Sequence, residues 1–269
     1  MSLEHVGMRR AAVPFGMGVT MLGAMTFAFG DVIHGLELIP VSLGAARMPL
    51  AYAAGAVLVA SGLVVASGRY VRPAAIAIGS VLSLWLLMHV GGIARNVHSG
   101  SEWVCAFETL SLWAAAWAIV AAAPLHSRDG ETDAPIPPWI SVASLGVACT
   151  VFGVSHFVYI DYVRSVLPAW LPGHTFWGYG TGVAHLAAGL ALVTRVRAHL
   201  AATLLGVMFG SWVLVLHLPR VVHDPHSQTE WTSMCVALAM CGASWVIAAA
   251  LARRTTAPST IRAASLVAT

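Results

Sequence analysis

Ionisable side chains lie within, or at the ends of, long apolar segments of this 269-residue chain. Such groups are costly in a bilayer, so each of them is a candidate for function. Imidazoles can hydrogen-bond a quinone carbonyl and exchange protons near neutral pH. Quinone-linked redox chemistry is therefore one function that these residues could serve. The candidate catalytic residues are Glu108, His156, His217 and Arg220.

A second set of residues combines imidazoles with indoles and could hold the quinone, or another small lipophilic molecule. The imidazoles would bond its polar groups, and the indoles would supply apolar walls on the outer side. These candidates are His89, Trp170, Trp177, His185 and His217. Both sets together predict a polar pocket that opens to the outer leaflet.

Each candidate also has a structural interpretation. A single His within a membrane helix, such as His156 or His185, often hydrogen-bonds a neighbouring helix. Arg220 follows Pro219 and could bind helix-terminal carbonyls or reach the headgroups. Glu108 could be protonated and hydrogen-bonded rather than a member of a proton relay.

Haem or a metal is a less favoured cofactor than quinone. His89 and His217 are predicted on different helices, as axial haem ligands must be. However, no HxxxH motif and no carboxylate-x-x-His pair on facing helices specifies a metal site.

The composition defines the class of protein. Hydrophobic residues make up 58% of the chain and charged residues 9%, whereas soluble domains carry about 25% charged residues. Several windows of about 20 residues are apolar enough to cross a bilayer core. There is no Lys, and the Arg residues lie between the apolar runs rather than in a basic stripe. The chain is therefore predicted to contact lipid and not nucleic acid.

Eight membrane spans are predicted, and they divide the chain into four parts. The spans are 12–33, 48–67, 71–94, 103–123, 139–161, 174–194, 199–219 and 230–252. Residues 1–123 form a first four-helix unit, and 124–138 a polar, Pro-rich linker. Residues 139–252 form a second unit, and 253–269 a disordered tail. Asp31, His34 and Glu37 recur every three residues near the end of the first span, which predicts one shared helix face.

The distribution of Arg predicts the orientation in the membrane. If the N-terminus is cytoplasmic, ten Arg fall on the inner side and four on the outer side. Cytoplasmic loops are enriched in basic residues. The chain is therefore predicted to lie in the plasma (inner) membrane with both termini and the linker in the cytoplasm.

A polar hexapeptide occurs twice, 128 positions apart: HSGSEW (His98–Trp103) and HSQTEW (His226–Trp231). Matches continue after it, for example Trp117 with Trp245, and precede it at an offset of 127, as for Trp85 with Trp212. The chain is therefore predicted to be an all-α protein of two pseudo-symmetric four-helix bundles. Because four is an even number, both copies would have the same orientation, a parallel repeat.

Most of the hexapeptide has a structural explanation. The Ser and Glu have S-x-x-E spacing, the capping box of a helix start. The Trp that follows would lie at the membrane interface. This interpretation does not account for the His.

Several motifs of the second unit resemble the DoxX-like family of small four-helix membrane proteins. They are G-x-x-H-F (Gly153–Phe157), P-x-W-x-P-G-H (Pro168–His174), H-x-P-R (His217–Arg220) and the E-W pair that opens the last span. The likeness covers about residues 148–250, and the first unit is similar only in His89, E-W and the glycines of its second span. Relatives belong to a membrane thiosulfate:quinone oxidoreductase and to membrane redox-stress complexes, so the resemblance implies quinone-linked chemistry and a partner redox subunit.

Two other functions remain open at the level of sequence. The chain could be a carrier or binding protein for a small lipophilic molecule, because duplication and polar groups at mid-membrane are typical of transporters. It could also be a non-catalytic docking subunit of a larger complex.

Overall fold

The structure is all α-helical. It is a computed structural model that describes residues 3–123 and 135–267, with side chains for 7–123 and 135–253. The helices are α1 (Leu3–Phe29), α2 (Arg47–Ser67), α3 (Val71–Arg95), α4 (Gly100–Ala122), α5 (Pro138–Val158), α6 (Ile160–Val166), α7 (His174–Thr194), α8 (Ala198–Trp212), α9 (Leu218–His223) and α10 (Gln228–Val267). A 3-10 turn (Val41–Ala46) precedes α2, and a π-helical turn (Val213–His217) joins α8 to α9.

Eight segments are long and apolar enough to cross a bilayer. Six correspond to single long helices. Of the other two, Val41–Ser67 combines the 3-10 turn with α2, and Ala198–His223 combines α8, the π-turn and α9. The prediction of an all-α, multi-pass membrane protein with eight spans is confirmed at this level.

The first span ends earlier than predicted. α1 stops at Phe29 because Gly30 adopts a left-handed conformation (φ 65°), which glycine adopts without steric cost. Asp31, His34 and Glu37 therefore lie in the loop Gly30–Pro40, and their predicted helix face is wrong.

Two other boundaries differ from the predictions. The fifth span ends at Val158, since Tyr159 leaves helical geometry (φ −110°, ψ 36°) before α6 begins. α10 continues to Val267 through residues predicted as a disordered tail. Residues 124–134 of the predicted linker lie outside the described residues.

The long helices pack in one continuous bundle. α1 packs against α2 and α10, α3 against α2 and α4, α7 against α5 and α8, and α10 also against α8 and α4. α4 packs on α5, so the two predicted units share interfaces along α1–α10, α4–α5 and α4–α10. The core follows these central helices, with Phe15, Leu112 and Val246 fully enclosed.

The outward faces of the spans are apolar. Leu87, Leu190 and Leu214 are 70%, 64% and 65% exposed. A soluble protein rarely exposes contiguous apolar area on this scale. The surface therefore fits contact with the lipid bilayer, where helices satisfy their backbone groups internally.

Candidate functional site

Two of the predicted histidines meet between α5 and α7. The rings of His156 and His185 are 5.1 Å apart between centroids, and those of Phe152 and Phe209 lie 5.8 and 5.5 Å from His185. Each Nδ1 lies within hydrogen-bond distance of a carbonyl on its own helix: Phe152 O at 2.8 Å and Thr181 O at 3.0 Å. We call these four rings the His185 pocket.

The His185 pocket leaves one polar atom without a partner. Because its Nδ1 donates to a carbonyl, neutral His185 has a free lone pair on Nε2. That atom is buried and has no hydrogen-bond partner, in a residue that is 4% exposed. The close approach of α5 depends on Gly182, where a Cβ would lie 2.9 Å from Cβ of His156. The geometry suits a proton acceptor enclosed by aromatic walls.

His217 ends the π-turn of the seventh span. Pro219 has no backbone N–H, and the N–H of Leu218 reaches back to the carbonyl of Val213, the i−5 pattern of a π-turn. Nδ1 of His217 is buried and has no partner. π-turns are rare in proteins, and those that occur are often found at functional sites.

Arg220 binds Glu230, which was predicted only as part of a helix cap. Its Nε and Nη2 donate to the two carboxylate oxygens of Glu230 at 2.7 and 2.6 Å, and Nη1 donates to the carbonyl of Val166 at 3.2 Å. This bidentate geometry is the strong form of the Arg–carboxylate bond. The sequence contained one indication of this ion pair: Glu230 is the acidic residue at the start of the helix that follows Arg220.

The capping boxes form only in part. Oγ of Ser99 accepts from the N–H of Glu102 (3.4 Å), and Oγ of Ser227 accepts from the N–H of Glu230 (3.3 Å). The two carboxylates do not complete the box, because they turn towards the neighbouring helix ends.

The predicted tryptophans are separated. Trp177 packs edge-on against Trp212, with ring centroids 6.0 Å apart. Trp212 was not predicted as a site residue, and its indole N–H is buried without a partner. Trp170 is 65% exposed in the irregular segment that follows α6, where His174 Nε2 lies 3.0 Å from the carbonyl of Pro168.

His89 belongs to a different polar group, between α3 and α4. Its side chain is 1% exposed. Nε2 lies 3.3 Å from Oγ1 of Thr109, and Nδ1 lies 4.0 Å from Oε2 of Glu102. Nδ1 and Oε2 are both buried without a hydrogen-bond partner. We call these three residues the His89 cluster.

Glu108 lies on α4, one turn after Cys105, and is half-buried. Within the described side chains its carboxyl group makes no hydrogen bond or ion pair with another predicted site residue. The structure therefore does not bring Glu108 together with His156, His217 or Arg220.

The loop Gly30–Pro40 carries titratable groups outside the spans. The N–H of Val32 donates to Asp31 at 2.7 Å; this bond, with His34 and Arg47 nearby, lowers the pKa of Asp31 despite partial desolvation. Glu37 is 3% exposed, and burial raises its pKa to about 7, although the N–H of Ile33 donates to it at 3.1 Å.

A surface cavity of about 290 Å³ lies between α4 and α5. Its lining includes Trp103, Val154 and Tyr159. None of the predicted histidines lines it, and His156 faces α7 instead.

The described residues hold no group of three His, Cys, Asp or Glu side chains arranged to bind a metal. The predicted residues instead form three separate polar groups: the His185 pocket, His217 with Arg220 and Glu230, and the His89 cluster. Trp177 joins Trp212, and Glu108 and Trp170 stand apart from these groups.

Fold and site together define a helical, multi-pass membrane protein with buried, partly unsatisfied polar groups inside its spans. The chain matches no protein-family model, no curated protein and no solved structure.

Proposed function

We propose that this protein binds a small lipophilic molecule of the quinone class within its second unit, in association with redox chemistry. One observation carries the proposal. His185 Nε2, Trp212 Nε1 and His217 Nδ1 are all buried without a partner, although native proteins satisfy most of their buried polar atoms. A quinone carbonyl would accept from the indole N–H of Trp212, the hydroxyl of the reduced quinol would donate to the lone pair of His185 Nε2, and the ring would fit the aromatic surroundings.

The residues would then have separate roles. The Trp212 indole can only donate a hydrogen bond, so it would bind a ligand carbonyl. His217 lies five residues after Trp212, at the end of the π-turn. His156 and His185 would exchange protons with the ligand oxygen. Arg220, whose guanidinium is paired with Glu230, would orient the end of α9. Trp177 would form part of the apolar wall of the site.

The proposed redox association draws on the resemblance to DoxX-like proteins and on the same polar groups. A quinone reduced at this site takes up two protons with two electrons, and the imidazole pair would relay protons from the aqueous side, with Nε2 of His185 first taking up the proton that it passes to the ligand oxygen. The electrons would come from a partner redox subunit. Quinone binding without reduction would instead support a carrier or binding protein.

We also propose that the chain is a tandem duplication with parallel repeats. Equivalent contacts support it: a Cβ on Gly62 would lie 2.5 Å from Oγ1 of Thr20, and one on Gly189 lies as close to Oγ1 of Thr150. The indole of Trp103 donates to Val97 O at 2.8 Å, and that of Trp231 to Pro225 O at 2.9 Å. The pairings α1–α2 and α5–α7, α3–α4 and α8–α10, and α10–α1 and α4–α5 also correspond.

For localisation we propose the plasma (inner) membrane with both termini cytoplasmic, on the Arg distribution alone. Fluorescent-protein fusions at either terminus should fluoresce in the cytoplasm, whereas an alkaline phosphatase fused after His98 should be active outside. Phosphatase activity at a terminal fusion would contradict this orientation.

The binding proposal is tested with a short-chain ubiquinone analogue titrated into purified protein in nanodiscs. We expect quenching of tryptophan fluorescence, with binding roughly fivefold weaker or more in H217A, because a hydrogen bond between neutral groups contributes about 1 kcal/mol. The matched control is H226A, since His226 is exposed in the loop before α10. Equal binding by wild type, H217A and W212F would contradict the proposal.

A further inference from the structure

The His89 cluster contains two hydrogen-bond acceptors that face each other. The hydroxyl of Thr109 donates to the carbonyl of Cys105 at 2.9 Å. Its oxygen is therefore left to accept from Nε2–H of His89 at 3.3 Å. Neutral His89 then carries a bare lone pair on Nδ1, opposite Oε2 of Glu102 at 4.0 Å.

No donor lies between these acceptors in the described side chains. Nδ1 of His89 and Oε2 of Glu102 are buried and unpartnered. Among the described residues no Arg lies within ion-pair distance of Glu102. Two unpartnered acceptors that face each other at 4.0 Å require a donor.

The second unit shows what occupies the corresponding place. Glu102 and Glu230, His89 and His217, and position 92 and Arg220 are each 128 positions apart. In the second unit the carboxylate is bound by the guanidinium of Arg220 at 2.6 Å. In the first unit position 92 is Gly, and a Cβ there would lie 2.7 Å from Oε2 of Glu102. The first unit therefore keeps the carboxylate and lacks its cation.

We propose that the His89 cluster binds a small nitrogen cation with at least two N–H donors, a primary ammonium or a guanidinium group. Charge-assisted N–H···O bonds are about 2.8 Å long, so one such nitrogen can reach two acceptors 4.0 Å apart. The carboxylate supplies the opposite charge, and the Glu102 side chain is 31% exposed, which gives access from the helix ends. The cation could be soluble or the ammonium of a lipid headgroup.

The test uses full-length protein in phosphatidylcholine nanodiscs, whose headgroup has no N–H. Guanidinium chloride and ammonium chloride are titrated at constant ionic strength, and the ring-nitrogen resonances of isotope-labelled histidine are followed by NMR. We expect saturable shifts of the His89 signal, assigned with H89Q, and no shift with tetramethylammonium. In E102Q the binding should weaken by roughly tenfold or more, because a charge-assisted bond is lost.

Two further variants sharpen the result. G92R should abolish cation binding by placing a guanidinium on the chain itself. R220G should add a second saturable event, reported by His217, because it removes the cation from Glu230. A cooperative thermal unfolding transition shows that a variant has folded, even where its midpoint is lower than that of wild type, as we expect for R220G.

Replacing part of the lipid by phosphatidylethanolamine separates the two sources. Competition with guanidinium identifies a lipid headgroup as the cation, and undiminished binding identifies a soluble one. The proposal is overturned if the His89 signal responds to pH but to no cation, if tetramethylammonium binds equally, or if E102Q binds like wild type.

Discussion

The bidentate bond between Arg220 and Glu230 connects the end of α9 to the start of α10. We expect R220A to lower the free energy of unfolding by about 1–3 kcal/mol, because it leaves a carboxylate that is 17% exposed without its partner. The measurement is thermal unfolding in detergent at neutral pH.

The control for this variant is R164A. The pair of Arg164 and Asp161 is also an ion pair, at 3.4 Å, but its side chains are 48% and 93% exposed, and such pairs contribute little. If both variants lose the same stability, the buried geometry of Arg220 has no special weight.

Glu37 should make the stability depend on pH. Its folded pKa of about 7 lies above the ordinary value of 4.5, so between these values the folded state binds more protons than the unfolded state. The free energy of unfolding should therefore fall as pH rises through this interval and level off above it. E37Q should flatten this part of the profile, measured as the unfolding midpoint from pH 4 to 8.

Asp31 provides the contrast within the same loop. Its pKa is lowered, first by the N–H of Val32, so its contribution is lost as pH falls below its ordinary value of 3.8. D31N should thus leave the profile between pH 5 and 8 unchanged. A profile that is the same in E37Q and wild type would contradict the assigned role of Glu37.

For individual residues, the sequence predicted which ionisable side chains lie within apolar segments, but not all of the residues that they contact. Histidines within apolar segments are visible in a sequence. Glu102 and Glu230 were assigned to capping boxes, a local pattern that explains their spacing. Their contacts with His89 and Arg220 depend on the rotation of one helix against the next, which a single sequence does not determine.

The helices themselves were largely predictable. Apolar runs of about 20 residues specify membrane spans by length alone, and all eight spans are present. The end of α1 was missed because Gly30 sits inside an apolar run. The π-turn was missed although Pro219 marks it, since a proline can also kink a helix without adding a residue.

Glycines on α7 offer a matched test of helix packing. A Cβ on Gly189 would lie 2.5 Å from Oγ1 of Thr150 and 2.7 Å from the carbonyl of Gly146, whereas Gly180 has no atom within 4 Å. We expect G189A to cost about 1–3 kcal/mol through overpacking of α5 against α7. G180A should be neutral or slightly stabilising, because Ala favours a helix by up to about 1 kcal/mol.

Thermal unfolding of the two variants in one detergent provides the comparison. Equal midpoints for G189A and G180A would show that α5 and α7 can separate at no cost, against the packing described.

The packing of the helices against one another was less predictable than the helices themselves. A repeat in the sequence suggests two bundles, but it does not say whether each closes on itself. In the structure the first helix of each predicted unit packs on the last helix of the other, α1 on α10 and α5 on α4. Such long-range choices depend on the summed fit of many small residues, as with Gly18 against Ala239.

This packing predicts how the chain behaves when it is divided. Residues 1–123 and 135–269, expressed together as separate chains, should associate and co-purify, because the α1–α10, α4–α5 and α4–α10 interfaces all join them. Either fragment alone should aggregate or be degraded. Affinity purification through a tag on one fragment measures the association, and two stable, independent fragments would contradict it.

The π-turn has a meaning for the history of the molecule. Trp85 and Trp212 are 127 positions apart, while His89 and His217 are 128 apart, so if the units share an ancestor the second unit contains one additional residue inside Val213–His217. A regular helix would have turned every later side chain by about 100°, away from its former neighbours. The π-turn accommodates the additional residue locally, so the imidazole of His217 keeps its orientation towards the following helix.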